Sequence, residues 1–263
     1  MRQTIKKFLH SKPFLYQFYI RYHNMSSLFY RGKHTFQIKD IVVCGVQRSG
    51  STLLFNIINQ ILAENKYNED TFFEKEILYK KLLEKERSIQ VRKNHTYLPL
   101  VANRIKKGLT IGFFTHRDIR DVLVSSIQKG WLTNIQEWVE SQRIRYMINN
   151  SLLYAKTPYI HIYSYHELMH DRRNVIKSVS EVLGIELNEE SIEKIIRNTS
   201  IDKVKSKLQE IPQDVKLYYD NQLHRNHIAD GESGKWEEFF TEEEKKFLNN
   251  YCAEYLRYFN YPL

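Results

Sequence analysis

The sequence predicts an α/β fold, a three-layer α/β/α arrangement around a central parallel sheet, on three observations. Short apolar runs rich in β-branched residues, at 41–46, 109–115 and 159–163, have the length and composition of buried strands. Stretches with apolar residues at helical spacing separate them, and such alternation builds a parallel sheet with helices on both faces. The first run passes directly into Gly45-Val46-Gln47-Arg48-Ser49-Gly50-Ser51-Thr52, a glycine-bearing turn at the carboxyl end of a strand, where sheets of this kind bind ligands.

Composition sets the bounds. A chain of 263 residues, 42% hydrophobic and 13% aromatic, holds one sizeable domain with an appendage. Its only cysteines, Cys44 and Cys252, argue against a disulfide framework or a Cys-based zinc site and point to a reducing compartment. No run approaches the ~20 apolar residues of a membrane span, and the N-terminus lacks the features of a signal peptide, so a cytoplasmic location is expected. The formal charge of +9 is concentrated at the start, where Arg2, Lys6, Lys7, Lys12, Arg21, Arg31, Lys33 and Lys39 meet only Asp40. Residues 1–38 therefore read as a basic aromatic arm and 39–263 as the main domain. The arm is open to peripheral contact with an anionic membrane or an acidic glycan, or to packing on the domain with solvated lysines; no motif supports specific nucleic-acid recognition.

Leu53, Leu54, Phe55, Ile57, Ile58 and Ile61 fall at helical spacing after the turn, which makes 41–61 a strand, a tight loop and a helix. Two glycines let the backbone turn sharply, and the N–H groups of the loop and of the first helical turn converge into a cradle for phosphate or sulfate. The plainer reading is an ordinary turn with Ser49, Ser51 or Thr52 as N-cap. Lysine occupies the position after the second glycine in an ATP-binding P-loop; here that position is Ser51 and the cation stands earlier, as Arg48, so ATP fits poorly.

Further on, 64–70 is polar, 72–87 has the spacing of an amphipathic helix, and 88–95 alternates like a strand ending in Lys93-Asn94-His95, with Leu98-Pro99 close behind. The strand at 109–115 runs into His116-Arg117-Asp118-Ile119-Arg120-Asp121-Val122-Leu123-Val124-Ser125, which sets Arg117 at the strand end and Ser125 two turns into a helix. A phosphate lying along that helix would accept hydrogen bonds from both; without such a ligand, Arg117 and Asp121 read as a helix-start ion pair. Residues 135–156 read as one long helix. After the strand at 159–163, Tyr165-His166-Glu167-Leu168-Met169-His170 contains a literal His-Glu-x-x-His, the pattern of zinc hydrolases, but it starts at a strand end. A helix over 175–183 ends at Gly184, another starts after Asn188, and 203–226 lacks periodicity, as a mobile lid or substrate loop would. The chain closes with Gly231-Glu232-Ser233-Gly234-Lys235-Trp236-Glu237-Glu238-Phe239 and a helix capped by Thr241.

Arg48-Ser49-Gly50-Ser51-Thr52 after a buried strand resembles the 5′-phosphosulfate loop of sulfotransferases that use 3′-phosphoadenosine 5′-phosphosulfate (PAPS). Four more segments follow in the order of that family. Lys93-x-His95 resembles its catalytic-base segment, Arg117-x7-Ser125 its 3′-phosphate motif, Tyr165-x-Glu167-Leu168 with Thr199-Ser200 its adenine contacts, and Gly231-x-x-Gly234-x-Trp236 its C-terminal cofactor loop. The resemblance implies the P-loop-like sulfotransferase fold, PAPS as donor with 3′-phosphoadenosine 5′-phosphate (PAP) as product, no metal, and a small-molecule, lipid or glycan acceptor. In the implied in-line transfer His95 removes the acceptor proton, while Arg48, Lys93 and the loop N–H groups stabilise developing charge. Arg48, Ser49, Gly50, Ser51, Thr52, Arg117, Ser125, Tyr165, Thr199, Gly231 and Gly234 would bind the cofactor. Leu53 and Ile201 replace aromatic residues of the family, and Ala229-Asp230 stands where an Arg-Lys pair is usual, which leaves Arg225, His227 or Lys235 as the nearby cations. The rival readings are a P-loop kinase, a zinc hydrolase and a binding module that only senses nucleotide.

Overall fold

The computed structural model describes residues 40–64, 69–73, 89–210 and 231–263, all within one compact unit. The arm at 1–38 lies outside the described residues. Among them no helix is long and apolar enough to cross a membrane.

β1 (Asp40–Gly45) is buried at every position and forms the middle of a five-stranded sheet. β2 (Glu69–Phe73) and β3 (Ile89–Asn94) lie to one side of it, β4 (Ile111–His116) and β5 (Ile160–Ser164) to the other, and all pairings are parallel. Side chains alternate across a strand, so Ile41 and Val43 enter one core and Val42 and Cys44 another. On the first face pack α1 (Ser51–Glu64), α7 (Arg172–Leu183) and α8 (Glu189–Asn198). On the second lie α2 (Pro99–Lys106) and α5 (Arg143–Ala155), which is the three-layer arrangement expected.

The pairing register decides where the site forms. Gly45 lies opposite Thr115, Thr115 opposite Tyr163, and Cys44 opposite Asn94, so four strands end along a single line. The turns leaving that line open into α1, α2, α3 (Ile119–Gln128) and α6 (Tyr165–His170). α4 (Ile135–Glu140), α9 (Ile201–Glu210), α10 (Trp236–Phe239), α11 (Glu242–Tyr251) and α12 (Ala253–Tyr258) complete the described elements.

Three expectations change. Phe72 and Phe73 end β2 instead of opening a helix, and the remainder of 72–87 lies outside the described residues. The helix expected over 135–156 breaks at Ser141–Gln142, where Gln142 has φ 57° and leaves the right-handed helical region. Residues 201–210 are helical although 203–226 was expected to lack regular structure; 211–226 lie outside the description.

Candidate active site

The turn after β1 is built to leave backbone donors outward. A Cβ on Gly45 would lie 2.2 Å from Thr115 Oγ1, so only glycine lets the two strand ends meet here. Ser49 then ties the turn together, its N–H and hydroxyl both donating to Val46 O at 3.2 and 2.6 Å. Thr115 in turn donates to Ser49 Oγ at 2.6 Å, because Ser49's only hydroxyl proton is already engaged. Ser49 is thus fully buried and serves the shape of the loop through its side chain. Arg48 and Gly50 flank it with φ of 67° and 87°, a left-handed pairing that makes the backbone concave toward an anion.

Gly50 precedes the first residue of α1 and brings no side chain to cap it. The first-turn N–H groups of Ser51, Thr52 and Leu53 have no intrahelical acceptor, and they carry the positive end of the helix dipole. A Cβ on Gly50 would reach 2.8 Å from Leu168 Cδ1 and 3.2 Å from the Tyr165 ring, which places α6 as a wall against the loop. Lys93, buried at the end of β3, donates to Thr52 Oγ1 at 2.5 Å.

Arg48, Arg117 and Ser125, which the sequence assigned to two separate motifs, come together through Arg48. Arg48 Nε donates to Ser125 Oγ at 2.9 Å, and Arg117 Nη1 to Arg48 O at 3.4 Å. Burial, then the neighbouring charge of Arg117, pulls the Arg48 pKa below its usual value. Two guanidinium groups crowd one site, which favours an anion between them. Arg117 itself is 7% exposed; its Nη2 donates to Glu232 O at 2.6 Å and its guanidinium lies 4.2 Å from the Tyr165 ring centre, while its buried Nε makes no hydrogen bond and stands 3.8 Å from Asp121.

Asp121 is occupied elsewhere. Its carboxylate accepts from Gly234 N–H at 2.8 Å and Trp236 N–H at 3.2 Å, which holds the 231–236 loop against α3. Gly231 has φ 88° and its Cβ would meet Met169 at 2.5 Å, so that glycine is required where the loop passes α6. Gly234 has φ 84° in open space, and its N–H is spent on Asp121.

His95 stands just past β3 with Nδ1 at 2.8 Å from Gly45 O. A carbonyl only accepts, so Nδ1 carries the proton and Nε2 the lone pair. Burial, then the charge of Lys93, lowers its pKa to about 3 and keeps the ring neutral. Strand, cradle, paired arginines and neutral histidine thus share one line of strand ends.

Residues 38–260 match the model of the sulfotransferase domain. The chain belongs to the sulfotransferase domain family. Among solved structures, a mouse sulfotransferase complexed with PAP aligns with a TM-score of 0.67 at 16% identity, over 84% of this chain and 86% of that one. A retinol dehydratase in complex with retinol and PAP aligns with a TM-score of 0.63 at 17% identity, over 84% and 82%. A second structure of retinol dehydratase, with androsterone and PAP, gives 0.62 at 17% identity, over 84% and 81%. A sequence search of curated proteins gives no significant match.

The rest of the sulfotransferase site is less direct. Thr199 Oγ1 donates back to Ile195 O at 2.7 Å, while its carbonyl accepts from Arg172 Nη1 at 3.2 Å; Arg172 Nε also donates to Leu168 O at 3.2 Å, so this residue ties the Tyr165 helix to Thr199. His166 and His170 face each other with ring centres 4.6 Å apart, but Glu167 closes a capping box by accepting from Ser164 N–H and Oγ at 2.6 Å. Among the described residues no group of three or more His, Cys, Asp or Glu could hold a metal. Arg225 and His227 lie outside the description, and Lys235 pairs with Glu232 at 2.9 Å.

Some contributors carried no signal in sequence. Arg120, fully buried, forks onto Asp118 at 2.9 and 2.6 Å, donates to Asn249 and to Pro262 O at 2.6 and 2.8 Å, and stacks 3.5 Å from the Trp236 ring. Tyr255 donates to Arg117 O at 2.9 Å. Apart from the Arg120–Asp118 pair, these contacts join residues more than a hundred positions apart.

Proposed function

We propose that this sulfotransferase-family chain moves a sulfuryl group from PAPS to a hydroxyl or amine acceptor, with His95 as base. The observation that carries it is the convergence of Arg48 and Arg117, with an unbonded buried Nε on Arg117, beside a turn that α6 walls so closely that a Cβ at Gly50 would meet Leu168 and Tyr165. Such a site suits a ligand with two separated anionic groups. Bound there, PAPS supplies an activated sulfuryl group and a bisphosphate leaving group.

The chain's own residues divide the work. Backbone N–H groups of 50–53 face the 5′ end, and Ser51 and Thr52 place hydroxyls beside them. Arg48 and Lys93 add positive charge where the leaving group gains negative charge. Ser125 accepts from Arg48 through its oxygen, and its own proton can be turned to a 3′-phosphate that Arg117 also contacts. Tyr165 and Thr199 flank the place for adenine, and the 231–234 loop closes over Arg117. Nε2 of neutral His95 takes the proton as the acceptor oxygen bonds to sulfur and the sulfur–oxygen bond to the phosphate breaks. Bound anions near Lys93 offset its charge and raise the basicity of His95 from its low value.

The two retinol dehydratase structures hold retinol or androsterone, and an acceptor of comparable size is proposed here; lipids and glycans belong to the same screen. Incubation with sulfur-labelled PAPS and a panel of phenols, lipids, amines and glycans tests the proposal. Label transfer with release of PAP is expected. Tight PAPS binding without transfer to any acceptor would support the binding-module reading instead.

A further inference from the structure

Trp138 and Trp236 are buried, whereas Trp131 keeps 42% of its surface exposed. A large exposed ring usually sits on a loose segment, but here both flanks are fixed. α3 ends with Gly130 at φ 68°, Gly130 N–H donates to Ile127 O at 2.8 Å, and Trp131 N–H donates to Ser126 O at 3.0 Å, the paired bonds of a Schellman motif. Beyond it, Thr133 gives its N–H and hydroxyl to Glu137 at 2.8 and 2.9 Å, and Asn134 caps α4. The backbone that carries the indole is therefore fixed by the same helix that carries Ser125.

Its position bears on the reaction. Arg48 Cζ lies 5.5 Å from the indole centre, while Arg48 Nε reaches Ser125, so ring, guanidinium and hydroxyl form one cluster at the mouth of the cradle. An acceptor with its oxygen beside Arg48 would have this ring within reach of its carbon skeleton.

We propose that Trp131 is an acceptor-binding residue whose solvent-facing indole surface takes an acceptor with its hydroxyl on a flat-faced ring, a phenol or a saccharide, in preference to an acyclic alcohol. This rests on the proposed placement of the transferring group at Arg48. An indole on a fixed backbone, already beside Arg48, has only its own two side-chain torsions to lose when covered, and a ring acceptor loses little, whereas an acyclic chain gives up rotamer freedom at each bond laid across it. Contact between ring faces adds to the apolar area removed from water.

The test measures transfer from labelled PAPS to phenol, methyl β-glucoside and 1-hexanol, by the unmodified chain and by Trp131→Ala and Trp131→Phe. At least one ring acceptor should exceed hexanol in kcat/KM, and which one identifies the ring. Trp131→Ala should raise the KM for that acceptor about tenfold, as loss of a stacking partner does, and Trp131→Phe should restore most of it. The KM for PAPS should change little. An unchanged acceptor KM, a preference for hexanol, or equal rises in the KM of PAPS and of every acceptor would overturn the inference. Acrylamide quenching of indole emission reads the unmodified chain independently: phenol or glucoside should shield Trp131, and PAP alone should not. If no acceptor is sulfated, the proposed function fails while shielding still supports the inference, and absence of shielding by both ring compounds overturns it.

Discussion

Two neighbouring strand-to-helix junctions of this sheet have the same topology and opposite chemistry. At the end of β1, Gly50 precedes α1 and brings no side chain of its own to the first-turn N–H groups. At the end of β4, Asp118 caps α3 by accepting from Arg120 N–H at 2.9 Å, and Arg120 returns its guanidinium to the same carboxylate at 2.9 and 2.6 Å. One junction has no capping carboxylate at its start; the other supplies its own anion and is closed by it. What the closed junction contributes is position: Arg117, one residue before the cap, reaches across to Arg48 O. The residue at the cap thus decides which helix start binds and which one supports.

The largest effect is expected at the adjoining β3 end. His95→Ala should retain PAPS affinity and lose about 10²- to 10⁴-fold in turnover, the range of a positioned general base. Normal turnover would move the base elsewhere. Next, Asp118→Ala should destabilise the fold by roughly 3–5 kcal/mol, because Arg120 would remain buried without its counter-charge. Denaturant unfolding measures this, and a loss under ~1 kcal/mol would show that the closed junction is not supporting the fold.

Arg117→Ala should weaken PAP binding by about ten- to a hundredfold, removing roughly 1.5–3 kcal/mol of charge-assisted contact, while turnover at saturating PAPS falls less. Calorimetric titration checks it, and unchanged affinity would detach Arg117 from the cofactor. A smaller effect concerns acid. Burial lowers the pKa of His95 to about 3 and of His116 to about 4, against 6.5 for a free imidazole. The folded chain resists protonation that the unfolded chain accepts, so stability is full above about pH 6.5 and declines toward pH 4. The melting temperature should fall across that window, less steeply in His116→Asn; equal slopes would argue against His116. The smallest effect is expected at the His166 and His170 pair. Purified protein should carry no stoichiometric zinc and chelators should spare activity, and one zinc per chain lost in His170→Ala would contradict this.

Most of the layer order was legible because β1, β4 and β5 are compact apolar runs, and helix limits were legible where a residue type forces them. Gly184 ends α7 with φ 67°, Asn188 caps α8, and Thr241 closes a capping box at α11. β2 was not legible: Glu69-Asp70-Thr71 at its start has neither an apolar run nor alternation, and only pairing with β3 makes it a strand. The break at Gln142 carries no glycine or proline to announce it. In the site, the loop and the Arg117 to Ser125 block stood out because backbone turning and bidentate charge need particular residues at fixed spacing. Trp131, Arg120, Tyr255 and Arg172 did not, since each acts through partners that only the fold brings near.

The comparison between junctions reduces to whether the open one, with Arg117 leaning in from the closed one, selects a nucleotide carrying a 3′-phosphate. Thermal unfolding with PAP and with ATP, both at the same concentration, measures that directly. PAP at ~100 times its dissociation constant should add about 2.7 kcal/mol, ATP much less, and the PAP increment should shrink in Arg117→Ala at the same concentration. Equal stabilisation by ATP and PAP, unaffected by Arg117→Ala, would contradict the account.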